Sequence, residues 1–235
     1  MGTGGRASPQ ALERALAALL GRAPLSARSR KVFADHQSDN RFLWSFPRDW
    51  LPAPDDPAPL AALLSADLPD EIRRRWSDAP MIHVGFDGAA RAGGADIRKL
   101  YLELPVTGDS SLAYLAVKCG ARGDLHRYDA LSDPAALLRD LALPAPFSAA
   151  AGALARASGD CLRVAEDGTG RLSIDIGLAD LDPDAGLSAM LATLVAAVNP
   201  AALPPACWPS HVALGRDRGG EVFVTLYGWP SEDCP

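Results

Sequence analysis

Ile97-Arg98-Lys99-Leu100-Tyr101-Leu102-Glu103-Leu104 alternates without a break. Successive side chains of a strand point to opposite sides. Arg98, Leu100, Leu102 and Leu104 therefore share one face, and Ile97, Lys99, Tyr101 and Glu103 share the other. The second face sets a cation, a phenol and a carboxylate on one short strand. Such a row suits either a solvated outer surface, which is the default for antiparallel sheet, or the lining of a cavity.

Repetition around this strand argues for the lining. Met81-Ile82-His83-Val84-Gly85-Phe86-Asp87 precedes it, across a Gly-rich turn at 88–94. Near the C-terminus His211-Val212-Ala213-Leu214-Gly215-Arg216-Asp217 leads through Gly219-Gly220 into Val222-Phe223-Val224-Thr225-Leu226-Tyr227. Both hairpins open on His-Val and close on Leu-Tyr. Two more lie between them, Tyr114 to Tyr128 and Cys161 to Ile176, turning at residues 120–123 and 167–170. Gly and Asp at such turns supply the positive φ that tight hairpins need. Similar hairpins separated by helical segments make an internal repeat.

The helical segments are marked by caps and stripes. Residues 8–21 read as a helix, with Ser8 as N-cap, Pro9 at the first position, Leu12, Leu16, Leu19 and Leu20 as the apolar stripe, and Gly21 as the stop. A first, poorly marked hairpin falls within residues 30–46, where Lys31-Val32-Phe33-Ala34 and Phe42-Leu43-Trp44-Ser45-Phe46 flank Ser38-Asp39-Asn40. Residues 57–65 and 69–77 form two short helices, the second with Arg73, Arg74 and Arg75 on a solvated face. Residues 134–158 form one or two helices interrupted at Pro144 and Pro146. Asp182-Pro183 begins another, apolar through Leu187, Met190, Leu191, Leu194, Val195 and Val198. No GxGxxG or P-loop stands between a strand and a helix, and no βαβ alternation emerges.

The expected fold class is α+β: antiparallel β-hairpins separated by helices, making either a helix-covered sheet or a helix-covered closed or partly closed barrel. One domain is expected over residues 1–235, with N-terminal helices and the weak hairpin in 1–79 and the repeated units in 80–229. Amphipathic helices bury their stripes against the aliphatic strand faces, expected as Ile82, Val84, Phe86; Leu100, Leu102, Leu104; Leu162, Val164; Leu172, Ile174, Ile176; Val212, Leu214; and Val222, Val224, Leu226. His83, Lys99, Tyr101, Glu103, Tyr114, Lys118, His126, Tyr128, Arg163, Asp175, His211 and Tyr227 then look away from the helices, into the lumen if the sheet closes. The His83 and His211 pair reads first as a mark of the repeat. His126, beside Arg127, is expected at the surface. The tryptophans, Trp44 and Trp76 among them, read as packing anchors.

Composition limits the partners. A net charge of −6 over 235 residues excludes general nucleic-acid binding, and no run is long enough to span a membrane or to serve as a secretory signal. The expected location is the cytoplasm. Cys119, Cys161, Cys207 and Cys234 show no CxxC spacing and are expected as reduced thiols. With no HxH or HExxH among four His, no protein-held metal is expected. Only three of the 23 basic residues are Lys, and Lys99 and Lys118 both fall on the polar faces. Grouped with Arg163 and Arg171, they would make a positive well in an acidic protein, suited to a diphosphate. Tyr101, Tyr114, Tyr128 and Tyr227 could donate hydrogen bonds to it or shield a carbocation by their π faces. Glu103 or Asp175 could orient or deprotonate an acceptor.

Hairpins separated by helices, the Lys99-Leu100-Tyr101 triplet, Tyr114 with Lys118, and a closing Leu226-Tyr227 resemble the αββα-barrel (ABBA) aromatic prenyltransferases. The resemblance runs over residues 80–229 and implies a barrel of αββα type. It further implies an isoprenoid diphosphate and an aromatic acceptor, a small molecule or a peptide side chain, as partners in secondary metabolism. No metal would be obligatory, with Mg an optional companion of the diphosphate. Two other classes stay open on the residues alone: a non-catalytic module that holds an anionic ligand or peptide for a partner enzyme, and an accessory subunit. Oligomeric state has no signature in the sequence.

Overall fold

A computed structural model of the chain describes residues 8–88, 96–107, 110–119, 124–166, 172–202, 207–217 and 219–228. The expected turns at 120–123 and 167–170, most of that at 88–94, and the expected contributions of Arg171 and Cys234 lie outside the described residues.

The chain begins with α1 (Pro9–Leu20). Ser8 caps it by accepting from the Ala11 N–H, and Gly21 ends it at φ 69°, a left-handed conformation that costs glycine little. The strands β1 (Leu25–Val32), β2 (Gln37–Ser38) and β3 (Arg41–Pro47) follow, then α2 (Ala58–Leu64) and α3 (Asp70–Arg75). Next come β4 (Met81–Asp87), β5 (Ile97–Glu103), β6 (Leu112–Cys119) and β7 (Leu125–Ala130), and then α4 (Pro134–Asp140) and α5 (Ala145–Ser158). Last are β8 (Cys161–Glu166), β9 (Leu172–Gly177), α6 (Ala185–Val198), β10 (His211–Arg216) and β11 (Val222–Gly228). The first hairpin exists, but its leading strand starts five residues earlier than the sequence suggested. Leu25–Val32 carries five polar residues, so its alternation hides among Arg28, Ser29, Arg30 and Lys31.

The strand order is β11-β10-β9-β8-β7-β6-β5-β4-β3-β1-β2, and β11 also pairs with β1. The ten longer strands form a closed antiparallel barrel, with the short β2 appended to β1. Among the described residues, closure leaves no long sheet edge to recruit another chain.

The chain divides into two compact units. One comprises Met1–Ser26, Asn40–Pro105 and Tyr114–Leu125; the other comprises Ala27–Asp39, Val106–Ala113 and His126–Pro235. In the first, Trp44, Phe46, Ile82, Val84, Leu100, Leu102, Leu115 and Val117 line up on one face of β3 to β6, all fully buried. Trp76 is buried as well, and its Nε1 donates to the Pro54 carbonyl at 2.8 Å. In the second, α5 packs against α4, α6 and β9, and α6 against β11. Their core takes Phe147, Leu154, Leu191 and Leu194 from the helices and Ile174, Ile176, Val212, Leu214, Val224 and Leu226 from the strands. Burying each such side chain is worth roughly 1.5–3 kcal/mol, so the aliphatic face decides which way every strand turns. Among the described residues no helix is long and apolar enough to cross a membrane.

Three expectations are corrected. Arg163 pairs with Ile174, and so stands on the helix side of β8, where it is exposed. Leu162 and Val164 take the other face, opposite Asp175 and Ser173. Cys161 sets this parity: it pairs with Ile176 and is buried in the helix-side core, a place the sequence reading had given to the two aliphatics. His126 is buried at 2% exposure, not at the surface, its Nε2 3.2 Å from Glu166 Oε1. Cys207 is disulfide-bonded, whereas Cys119 and Cys161 are free thiols.

Candidate functional site

In the first unit, the face opposite the aliphatic one collects six of the residues singled out by sequence. Register places His83 opposite Tyr101, Glu103 opposite Tyr114, and Lys99 directly opposite Lys118. All six are partly buried. The sequence alternation is responsible: Leu100 and Leu102 turn into the core, so Lys99, Tyr101 and Glu103 must turn away from it.

Along β5 the row has a cationic end, an aromatic middle and an acidic end. At about 3.3 Å per residue, Lys99 and Glu103 start about 13 Å apart on the backbone, with Tyr101 between them. The acidic end is tightly organised. His83 Nε2 lies 3.1 Å from Glu103 Oε2, and His83 Nδ1 lies 2.8 Å from the buried Ser45 hydroxyl. The Tyr114 ring tilts over the same imidazole at 5.8 Å. Ser45 was not singled out from sequence, although it sits opposite His83 in the register of β3 and β4. At Gly85, opposite Lys99, an added Cβ would come within 3.2 Å of Tyr101 Cε2, so the glycine leaves room for the tyrosine ring.

Mg would need oxygen donors beside the phosphates. The two carboxylates that flank the lysine pair on this face, Asp87 and Glu103, are engaged by Arg41 and by His83. Lys99 and Lys118 bring cations, not oxygen donors, to this face, and its carboxylates Asp87 and Glu103 are already engaged, so the residues present do not fit a protein-held Mg.

The second unit has its own polar face. His211 pairs with Tyr227, repeating the His83–Tyr101 pairing, and the two rings stack at 4.0 Å. The Ser210 hydroxyl lies 3.0 Å from His211 Nδ1. A cross-strand row runs from Lys31 through Thr225 and Ala213 to the half-buried Asp175. Tyr128 is on this face, opposite Val164. Arg163 is not. Sequence reasoning missed Lys31, whose Nζ lies 4.0 Å from the centre of the Phe223 ring and 4.5 Å from that of Phe33. Its signal was the alternation Lys31-Val32-Phe33, in which Val32 is the fully buried member. The His126–Glu166 pair shares this face, where the alternation had placed His126, but its burial and the Glu166 partner were not foreseen.

Burial pushes the Cys119 thiol up from an ordinary 9.0 to about 11, against the pull of the Arg98 cation. Burial, reinforced by the Asp160 and Asp175 carboxylates, pushes Cys161 up to about 11 as well. Neither is suited to be a nucleophile at neutral pH.

No family model matches the chain, and no curated protein matches it. Solved structures do match. AnaPT from Neosartorya fischeri is 13% identical with a TM-score of 0.55, over 89% of this chain and 79% of that one. A 6-dimethylallyltryptophan synthase from Micromonospora olivasterospora, in complex with DMASPP and Trp, is 13% identical with a TM-score of 0.53, over 92% and 90%. The prenyltransferase PriB, in ternary complex with L-tryptophan and dimethylallyl thiolodiphosphate, is 17% identical with a TM-score of 0.50, over 89% and 83%. The resemblance seen in the hairpins and in the Lys99-Leu100-Tyr101 triplet thus extends to the course of nearly the whole chain, and the fold is the αββα barrel of the aromatic prenyltransferases.

Proposed function

We propose that the chain transfers a prenyl group from an isoprenoid diphosphate to an aromatic acceptor on the polar face of β5 and β6. The observation that carries this is the lysine pair. Two cations directly opposite each other on neighbouring strands concentrate positive charge at one spot of the face. Lys99 and Lys118 are such a pair. A polyanion can take a charge-assisted contact from each of the two lysines, and a diphosphate is an anion of suitable charge and size.

The chemistry follows the row. With the diphosphate at Lys99 and Lys118, the allylic C–O bond breaks and its electron pair leaves with the diphosphate, whose growing charge the ammonium groups offset. The allyl cation then lies beside the faces of Tyr101 and Tyr114, which stabilise it through their π quadrupoles. A ring carbon of the acceptor donates an electron pair to form the new C–C bond. The proton on that carbon passes to Glu103, whose carboxylate His83 holds in place. Tyr128, Asp175, His211 and Tyr227 offer a second acidic and aromatic surface in the other unit. We assign Lys99, Tyr101, Glu103, Tyr114, Lys118 and His83 as the substrate-lining residues of the first unit, and these four as candidate ligand-lining residues of the second unit's own face. Arg163, on the helix side, has no part in it.

The complexes of PriB and of the Micromonospora synthase make dimethylallyl diphosphate and tryptophan the first substrates to try. Incubation with both, and with tyrosine and a tryptophan-containing dipeptide as further acceptors, is followed by mass spectrometry and pyrophosphate release. A prenylated product with stoichiometric pyrophosphate is expected. Saturable diphosphate binding without turnover on any aromatic acceptor would instead support an anion-holding module, and absence of both would refute the reading.

A further inference from the structure

Folding brings Asp35, His36 and Glu221 together, with one donor atom from each lying within 4.8 Å of the others. Asp35 and His36 form the turn between β1 and β2; Glu221 ends the turn between β10 and β11. Each turn is held by its own backbone. The Phe33 N–H donates to the His36 carbonyl at 2.9 Å, the Asp217 N–H to the Glu221 carbonyl at 2.9 Å, and the Glu221 N–H to Asp217 Oδ1 at 3.0 Å. The imidazole is also fixed in plane. It stacks on Phe33 at 4.5 Å and 9°, and Phe33 in turn rests against Phe223. His36 Nδ1 points at Asp35 Oδ1, 2.5 Å away.

We propose that Asp35, His36 and Glu221 bind one divalent transition-metal ion of the zinc or cobalt class, stapling the two turns at the seam where β11 pairs with β1. Several observations agree on this. A neutral imidazole with two carboxylates supplies two negative charges to a dication. An imidazole nitrogen selects zinc, cobalt or nickel over magnesium or calcium, which take oxygen donors. Bonds of about 2.0–2.2 Å put the donors of a tetrahedral site about 3.3 Å apart, so from a spread within 4.8 Å the set must tighten by up to about 1.5 Å at its widest. Asp35, whose side chain is 70% exposed, can make that adjustment, while His36 is already oriented by Phe33. Water completes the fourth position. The seam runs from Arg28 opposite Gly228 to Val32 opposite Val224, and the proposed site lies just past its Val32 end. His36 has no second His at i+2 or i+4, and its partner Glu221 is remote in sequence, so motif spacing could not reveal the site.

The test uses the full chain, dialysed against a chelator and then titrated with Co²⁺ and Zn²⁺. Calorimetry and the cobalt visible spectrum report binding, and thermal melting reports the staple. One saturable site is expected, with a higher Tm when loaded and binding about tenfold weaker or more in each of Asp35→Asn, His36→Ala and Glu221→Gln. Asp35→Asn changes an exposed side chain and Glu221→Gln keeps its volume, so both variants report on binding even if His36→Ala loosens the turn. No saturable binding, or undiminished binding in Asp35→Asn and Glu221→Gln, overturns the proposal.

Discussion

His83 and Glu103 meet because β4 and β5 pair in a register that the leucines of β5 dictate, and that contact gives Glu103 a defined orientation. If Glu103 accepts the acceptor's proton, Glu103→Gln keeps the shape and loses the base. Turnover is expected to fall about 10²- to 10⁴-fold, the usual worth of a positioned base, while calorimetric affinity for pyrophosphate stays within about twofold. Equal losses in both would place Glu103 in diphosphate binding instead. The two free thiols make a separate prediction. Folding holds Cys119 and Cys161 protonated at a pH where unfolded thiols have ionised. Their contribution to stability is therefore intact below about pH 9.0 and is lost as pH rises to about 11, so the denaturation midpoint should fall over that window. Iodoacetamide at neutral pH should leave both unlabelled in the folded protein. At this scale Lys99, Tyr101 and Glu103 were legible because one uninterrupted alternation carries them. His126 was not, because its burial depends on Glu166 on the next strand.

The helix ends and the turns are local, and the sequence showed most of them: Ser8, Gly21 and Pro144 mark boundaries through capping and fixed φ alone. The N-cap of α6 illustrates the energetics. Asp184 Oδ1 accepts from the Leu187 N–H at 2.7 Å, so Asp184→Ala should cost about 1 kcal/mol in a urea melt. Strand parity is less local, and β8 shows the limit. Leu162 and Val164 look like core residues by type, but Cys161, one residue earlier, packs under α5 and reverses the assignment, which puts Arg163 outside. Close strand approach is also invisible in one dimension. At Gly215 an added Cβ would fall 2.6 Å from the Leu172 carbonyl oxygen and 2.6 Å from Ser173 Cβ. Gly215→Ala must therefore push β9 and β10 apart, and a loss of about 1–3 kcal/mol is expected by denaturant titration. An unchanged midpoint would mean that the two strands leave room for a methyl group after all.

Across the whole molecule, closure depends on a strand the sequence marked poorly. β1 reads as polar, because four of its central residues are Arg28, Ser29, Arg30 and Lys31, yet it pairs with β11 over five residues and completes the ring. Pairing between residues so far apart along the chain leaves no trace in hydropathy. We propose that residues 1–235 nevertheless fold as one domain, which predicts a single cooperative transition by fluorescence and circular dichroism together. Activity should depend on the face opposite the aliphatic core, and the lysine pair is its most exposed commitment. The decisive measurement is calorimetry of dimethylallyl diphosphate binding to the natural chain and to Lys118→Ala, with the melting temperature of each taken without ligand. Two lysines that hold a diphosphate predict affinity lower by about tenfold or more in the variant, which still melts in one cooperative transition. Unchanged affinity in a variant that melts earlier would contradict the account, showing Lys118 to be part of the scaffold and not of a diphosphate site.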